Sequence, residues 1–149
     1  MSDFVASRTL GINDSLHFDG SEESKARRSG AKNSIGLEDI SDDYFQWTNE
    51  VAALVEKKIP GKKFGLLAYL QVLEPPTRVE VDPSIVPFIT YENTRWEDPE
   101  YREKMEKVTE AWGEAASTLG WYDYVYGARY LIPRFFPHAE QKSLVWGAD

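Results

Sequence analysis

The feature that most constrains this chain is an αβ unit at its centre. Tyr44, Trp47, Val51, Leu54 and Val55 recur at the spacing of a single helical face. The pattern predicts a helix from about Asp43 to Ile59, with Ser41 or Asp42 as its N-cap. Pro60-Gly61 stops it, and Lys62-Lys63 leads into a short apolar strand, Phe64–Leu70. Gln71 and then Glu74-Pro75-Pro76 turn the chain away. A helix feeding directly into a strand is the building block of a parallel sheet.

The same succession returns downstream. Ile85–Tyr91 is a second apolar run, and Pro87 within it predicts a short or bulged strand. Asp98-Pro99-Glu100 is a helix start, with an N-cap aspartate, proline at N1 and an acid in the first turn. Tyr101, Met105, Val108, Trp112, Ala115 and Leu119 trace its apolar face, and Gly120 is expected to close it as the C′ residue. Trp121–Tyr126 follows as a strand, Gly127–Phe136 as a loop around Pro133-Arg134, and Pro137-His138 opens a last short helix. At the amino end, Phe4–Ile12 reads as a strand ending on Asn13-Asp14, and residues 15–38 read as a long surface loop with at most a helical turn.

The order β-α-β-β-α-β-α predicts an α/β fold, with about four parallel strands and intervening helices. A closed (β/α)8 barrel takes roughly 250 residues. The 149 residues here are therefore expected to form one partial TIM barrel domain, residues 1–149, cut from a longer protein. The competing expectation is a small free-standing α/β sandwich, which would leave both edge strands unpaired.

Composition narrows the chemistry. Hydrophobic content of 42% and aromatic content of 13% suit a packed core. A net charge of −8 argues against nucleic acid as a partner. The absence of cysteine removes disulfides, thiolate catalysis and cysteine metal sites, and two distant histidines offer no zinc spacing. No run approaches the roughly 20 apolar residues that cross a bilayer, and Met-Ser-Asp-Phe is not a signal peptide. No phosphate loop or nucleophile elbow is present, so no cofactor or metal is expected.

In a barrel, substrates meet the carboxyl ends of the strands. The residues expected there are Asn13, Asp14 and His17; Tyr69 and Gln71; Tyr91, Glu92 and Trp96; and Tyr122, Asp123 and Tyr124. Arg134, in the loop after the last strand, is placed to bind an anionic group. Carboxylates among aromatic rings suit a carbohydrate, since rings cover the apolar face of a sugar and acids hold its hydroxyls. Asp14, Asp123 and Glu92 are the candidate catalytic carboxyls. Each has a plainer explanation: an Asx turn for Asn13-Asp14, a paired acid among core tyrosines for Asp123, and ordinary end-of-strand polarity for the rest.

The ordered strings Asn13-Asp14, Asp43-Tyr44-Phe45-x-Trp47-x-Asn49-x-Val51-Ala52, Pro60-Gly61-Lys62-Lys63-Phe64-x-x-Leu67-Ala68-Tyr69, Pro75-Pro76, Trp121-Tyr122-Asp123-Tyr124 and Pro133-Arg134 span nearly the whole chain. Together they resemble the middle of the bacterial family called domain of unknown function 4838. That resemblance implies a glycoside-hydrolase-like barrel, near the hexosaminidase and α-glucuronidase groups, in a protein often exported to degrade polysaccharide. It implies that this chain supplies a central-to-late segment, and that its partners are a carbohydrate substrate and the remainder of its own barrel. Relatives often carry cysteines in the loop after Asn-Asp, and this chain has none. The segment alone is expected to be inactive. A non-catalytic carbohydrate-binding module on the same scaffold is the alternative, distinguished by whether two carboxyl groups converge.

Overall fold

The computed structural model describes residues 8–9, 19–92, 95–124 and 137–147. Their elements in chain order are β1 (Arg8–Thr9), α1 (Glu22–Arg27), α2 (Ser41–Glu56), β2 (Phe64–Ala68), a 3₁₀ turn at Leu70–Val72, β3 (Ile85–Tyr91), α3 (Pro99–Ala115), β4 (Gly120–Asp123) and α4 (Pro137–Trp146). The strands form one sheet in the order β1-β2-β3-β4, every pairing parallel. The fold is thus α/β on a parallel sheet, as alternation of strand and helix requires.

Pairing register separates the two faces of the sheet. Phe64, Leu66 and Ala68 of β2 and Ile85, Ile89 and Tyr91 of β3 are buried together with Phe45 and Ala52 of α2 and Met105, Val108 and Trp112 of α3. Trp121 of β4 and Trp146 of α4 pack against the same cluster. All three long helices therefore cover one face. The other face carries Gly65, Leu67, Val86, Phe88, Gly120 and Tyr122, with Phe88 lying across both glycines. A Cβ on Gly120 would stand 2.5 Å from the Phe88 ring, and one on Gly65 would stand 3.0 Å away. Glycine is needed at both positions for the approach of that ring.

α3 starts and packs as its sequence predicts. The Asp98 carboxylate accepts from the Glu100 and Tyr101 N–H groups, Pro99 opens the helix, and Met105, Val108 and Trp112 are buried. Its end differs. The helix stops at Ala115, and Gly120 is the first residue of β4, not a C′ residue. Gly120 serves the sheet by giving way to Phe88.

α2 departs further. Of the predicted stripe, Tyr44 and Val55 pack against the core cluster, whereas Trp47 and Leu54 face outward, 49% and 63% exposed. The buried face is instead Ser41, Asp42, Phe45, Thr48 and Ala52. Tertiary hydrogen bonds make the polar members of that face tolerable. Neither Ser41 nor Asp42 caps the helix; Ile40 is the N-cap and supplies no side-chain bond. The Ser41 hydroxyl donates to the Glu74 carbonyl at 2.8 Å. The Asp42 carboxylate accepts from the Thr77 and Arg78 backbone N–H groups, both at 2.8 Å, and from Arg78 Nε at 2.9 Å. Both side chains reach across to the loop after β2, and the first N–H of the helix, at Ser41, donates instead to Asp39 Oδ1 at 2.9 Å.

Pro87 sits in the middle of a full seven-residue β3, with no shortening or bulge. The Phe64 N–H donates to the Ser84 carbonyl. The backbone groups of residues 84 and 86 therefore face β2, and those of 85 and 87 face the β4 side. β4 begins only opposite Phe88, so the N–H that proline lacks has no partner to lose.

The segment before α2 is more structured than a plain loop. It contains α1, whose Ser24 is fully buried and hydrogen-bonds to Asp43. The Arg27 guanidinium pairs with Asp43 at 2.5 Å, and Asn33 Nδ2 donates to the Leu70 carbonyl at 2.6 Å. Residues 19–40 are thereby fastened to α2 and to the exit of β2.

Candidate functional site

Parallel strands bring their carboxyl ends to one edge of the sheet, and most of the expected residues lie there. At the exit of β2, Tyr69 is extended and Leu70 takes a left-handed conformation at φ 51°, unusual for a branched residue. The Asn33 side-chain amide holds the Leu70 carbonyl, and the Ile40 N–H donates to the Gln71 carbonyl at 3.0 Å. Gln71 Oε1 is buried and accepts no hydrogen bond among the described residues.

The exits of β3 and β4 lie side by side, with Tyr91 in register with Asp123 and Thr90 with Tyr122. Tyr91 is 6% exposed, and its ring stacks on Trp96 at 5.6 Å between centroids. Trp96 in turn meets Trp146 at 5.8 Å. The Glu92 backbone N–H donates to the Tyr101 hydroxyl at 2.8 Å, and the Arg95 guanidinium lies 4.2 Å over the Tyr101 ring. The first turn of α3 is thus bound to the end of β3.

The electrostatics converge on the same spot. Burial, and then the Asp123 charge, push the Tyr91 phenol far above its ordinary range. Burial is also the main cause of the raised Tyr101 phenol. The Glu92 and Asp123 charges push it the same way, against the Glu92 N–H bond and Arg95. Both carboxylates lie close enough for their charge to oppose ionisation of the Tyr101 phenol.

Alternation places Trp121 and Asp123 on the helix-covered face and Tyr122 on the open one. Tyr122 is 47% exposed, and its ring meets Tyr124 edge-on at 5.6 Å. The strand ends thus present two surfaces. One is the buried pair Tyr91 and Trp96 with the half-buried Tyr101 and Asp123 beside it and Glu92 at its margin. The other is the exposed Tyr122 with the half-buried Tyr124 against it.

Asn13, Asp14, His17 and Arg134 lie outside the described residues. Tyr101 and Arg95 are the contributors that sequence reasoning missed, because Tyr101 reads as one more core position of α3. The available signal was its place three residues after Asp98, in a helix that starts from a strand's carboxyl end. Among the described residues no group of three or more histidines, cysteines and acids is arranged to hold a metal, and no helix is long and apolar enough to cross a membrane.

No curated protein and no solved structure matches the chain. The profile of one family, described as a domain of unknown function (DUF4838), matches residues 10–141. With most of its length covered by that match, the chain belongs to the DUF4838 family.

Proposed function

We propose that this chain is a sector of a (β/α)8 barrel that acts on the glycosidic bonds of an oligo- or polysaccharide, and that its strand ends form part of the sugar site. The observation that carries this reading is the one-sided cover of an in-order parallel sheet. Right-handed crossovers between strands taken in sequence put every helix on the same face. A doubly wound sheet instead reverses its strand order and is covered on both faces. The open face alternates bulky Leu67, Val86 and Phe88 with Gly65 and Gly120, a mixture of sizes suited to a barrel interior.

Hydrolysis of a glycoside uses two carboxyl groups, about 5–5.5 Å apart for retention and about 6.5–9.5 Å for inversion. Glu92 and Asp123 stand at the ends of neighbouring strands, near Tyr101, which supports them as members of the acid set together with Asp14. The exposed ring of Tyr122 supports a sugar-stacking role beside them.

The test is release of chromophore from a panel of aryl glycosides by the full-length protein and its Asp14→Asn, Glu92→Gln and Asp123→Asn variants. Loss of an acid or base should lower kcat by about 10²–10⁴-fold in at least one of them. Unchanged rates in all three would remove the assignment. The second reading, a non-catalytic carbohydrate-binding module, is favoured by the exposure of Tyr122. It would be supported by calorimetric sugar binding that Tyr122→Ala abolishes, with no turnover on any substrate.

A further inference from the structure

The turn between α2 and β2 reads Lys57-Lys58-Ile59-Pro60-Gly61-Lys62-Lys63. Four of the chain's 17 lysines and arginines fall in this stretch, in a protein whose net charge is −8. The turn is locked. Gly61 takes φ +74°, its N–H donates to both Glu56 carboxylate oxygens at 2.9 and 3.1 Å, and the Lys58 and Ile59 N–H groups both donate to the Val55 carbonyl. The nearby acid, Glu56, is thus turned onto the backbone. Lys63 Nζ is held by the Pro83 carbonyl at 2.7 Å, whereas Lys57, Lys58 and Lys62 form no ion pair among the described residues.

At the tip of this basic ring Ile59 is 55% exposed. Leu54 is exposed one turn back along α2, beyond which the exposed Glu50 separates it from Trp47. An apolar tip ringed by lysines is the chemistry of an interfacial contact. The lysines meet anionic headgroups while the aliphatic side chain enters the boundary beneath them. An acidic polysaccharide would use the lysines and gain nothing from Ile59 or Leu54.

We propose that this turn, through its lysines with Ile59 and Leu54, docks on an anionic lipid surface. It lies at the amino end of β2, away from the strand ends that carry the candidate site. Docking there leaves that edge of the sheet open to solvent.

The experiment is flotation of the full-length protein with vesicles of phosphatidylglycerol and phosphatidylcholine, against phosphatidylcholine alone. Binding is expected to the anionic vesicles only, and to weaken as salt rises. Lys57→Glu with Lys58→Glu should lower the partition coefficient at least about tenfold. Ile59→Ser should lower it about three- to fivefold, with thermal unfolding unchanged because the site is exposed. Capture on immobilised alginate is the comparison arm. Equal flotation with both vesicle types, or no flotation, would overturn the proposal. So would an Ile59→Ser variant that floats like the wild type, or alginate capture that the lysine variants lose while vesicle binding persists.

Discussion

Removing the Asp42 carboxylate tests how α2 is held to the loop after β2. This side chain is 4% exposed and accepts four hydrogen bonds: two from backbone N–H groups, one from Arg78 Nε and one from the Thr77 hydroxyl. Hydrogen bonds to a charged group contribute about 1.5–3 kcal/mol each. Thr77 and Arg78 face solvent and regain water when the acceptor is lost, so the four do not sum. Asp42→Ala should cost about 3 kcal/mol, and Asp42→Asn about 2 kcal/mol, because the amide keeps one acceptor oxygen but aims its NH₂ at Arg78.

The pH dependence has a definite sign. Burial alone would raise the Asp42 pKa, but the bonds from Arg78 and Thr77 outweigh it and hold the carboxyl below its ordinary 3.8. A depressed carboxyl contributes stability that is complete above the unfolded value and lost as pH falls through the folded one. Urea unfolding of wild type and Asp42→Asn should therefore differ by about 2 kcal/mol near neutral pH, with the gap closing only as pH falls below the ordinary 3.8 and Asp42 takes up its proton. A gap below about 0.5 kcal/mol at neutral pH, or one of constant size at all pH values, would refute the reasoning.

Gly120→Ala should destabilise by about 1–3 kcal/mol by driving a methyl into the Phe88 ring, and Phe88→Leu in the same chain should recover much of that loss in a double-mutant cycle of urea midpoints. Trp112 is fully buried, and its Nε1 donates to the Leu73 carbonyl at 2.7 Å. Trp112→Phe should cost about 2–4 kcal/mol in chemical denaturation, through an unpaired carbonyl and a residual void. Burial raises the Tyr44 phenol to about 12, so the native state keeps a proton that the unfolded chain releases near its ordinary 10.0. Stability should fall as pH climbs through that window, and Tyr44→Phe should flatten the fall in thermal melts.

α3 was legible because its signals are local. Asp98 caps its own helix, Pro99 fits N1, and the apolar face repeats on the helical period. α2 was legible in extent but not in orientation. Its aromatic stripe suggested a core, yet the buried side includes Ser41, Asp42 and Thr48, whose bonding partners include the Glu74 carbonyl and the Thr77–Arg78 backbone. Periodicity weighs hydrophobicity and does not see a carboxylate satisfied from across the fold. The assignments of Gly120 and Pro87 failed for a related reason: each is explained by the strand beside it. At the candidate site, Tyr91, Trp96 and Asp123 were found from their place at strand ends. The Tyr101 hydroxyl depends on how a helix docks after its strand, and spacing along the chain does not encode that.

Pro87 has one more effect. Below Gly120, the outer margin of β3 offers no amide hydrogen at Pro87, so a neighbouring strand gains little by zipping down toward Ile85. β4 accordingly pairs only from Gly120, opposite Phe88, whereas β3 itself begins at Ile85. Cylindrical closure of a sheet demands such a climb from strand to strand. In the barrel proposed above Pro87 would sit at one such step, and in any sheet it blunts that margin against intruding chains. Pro87→Val would restore the missing hydrogen on that margin.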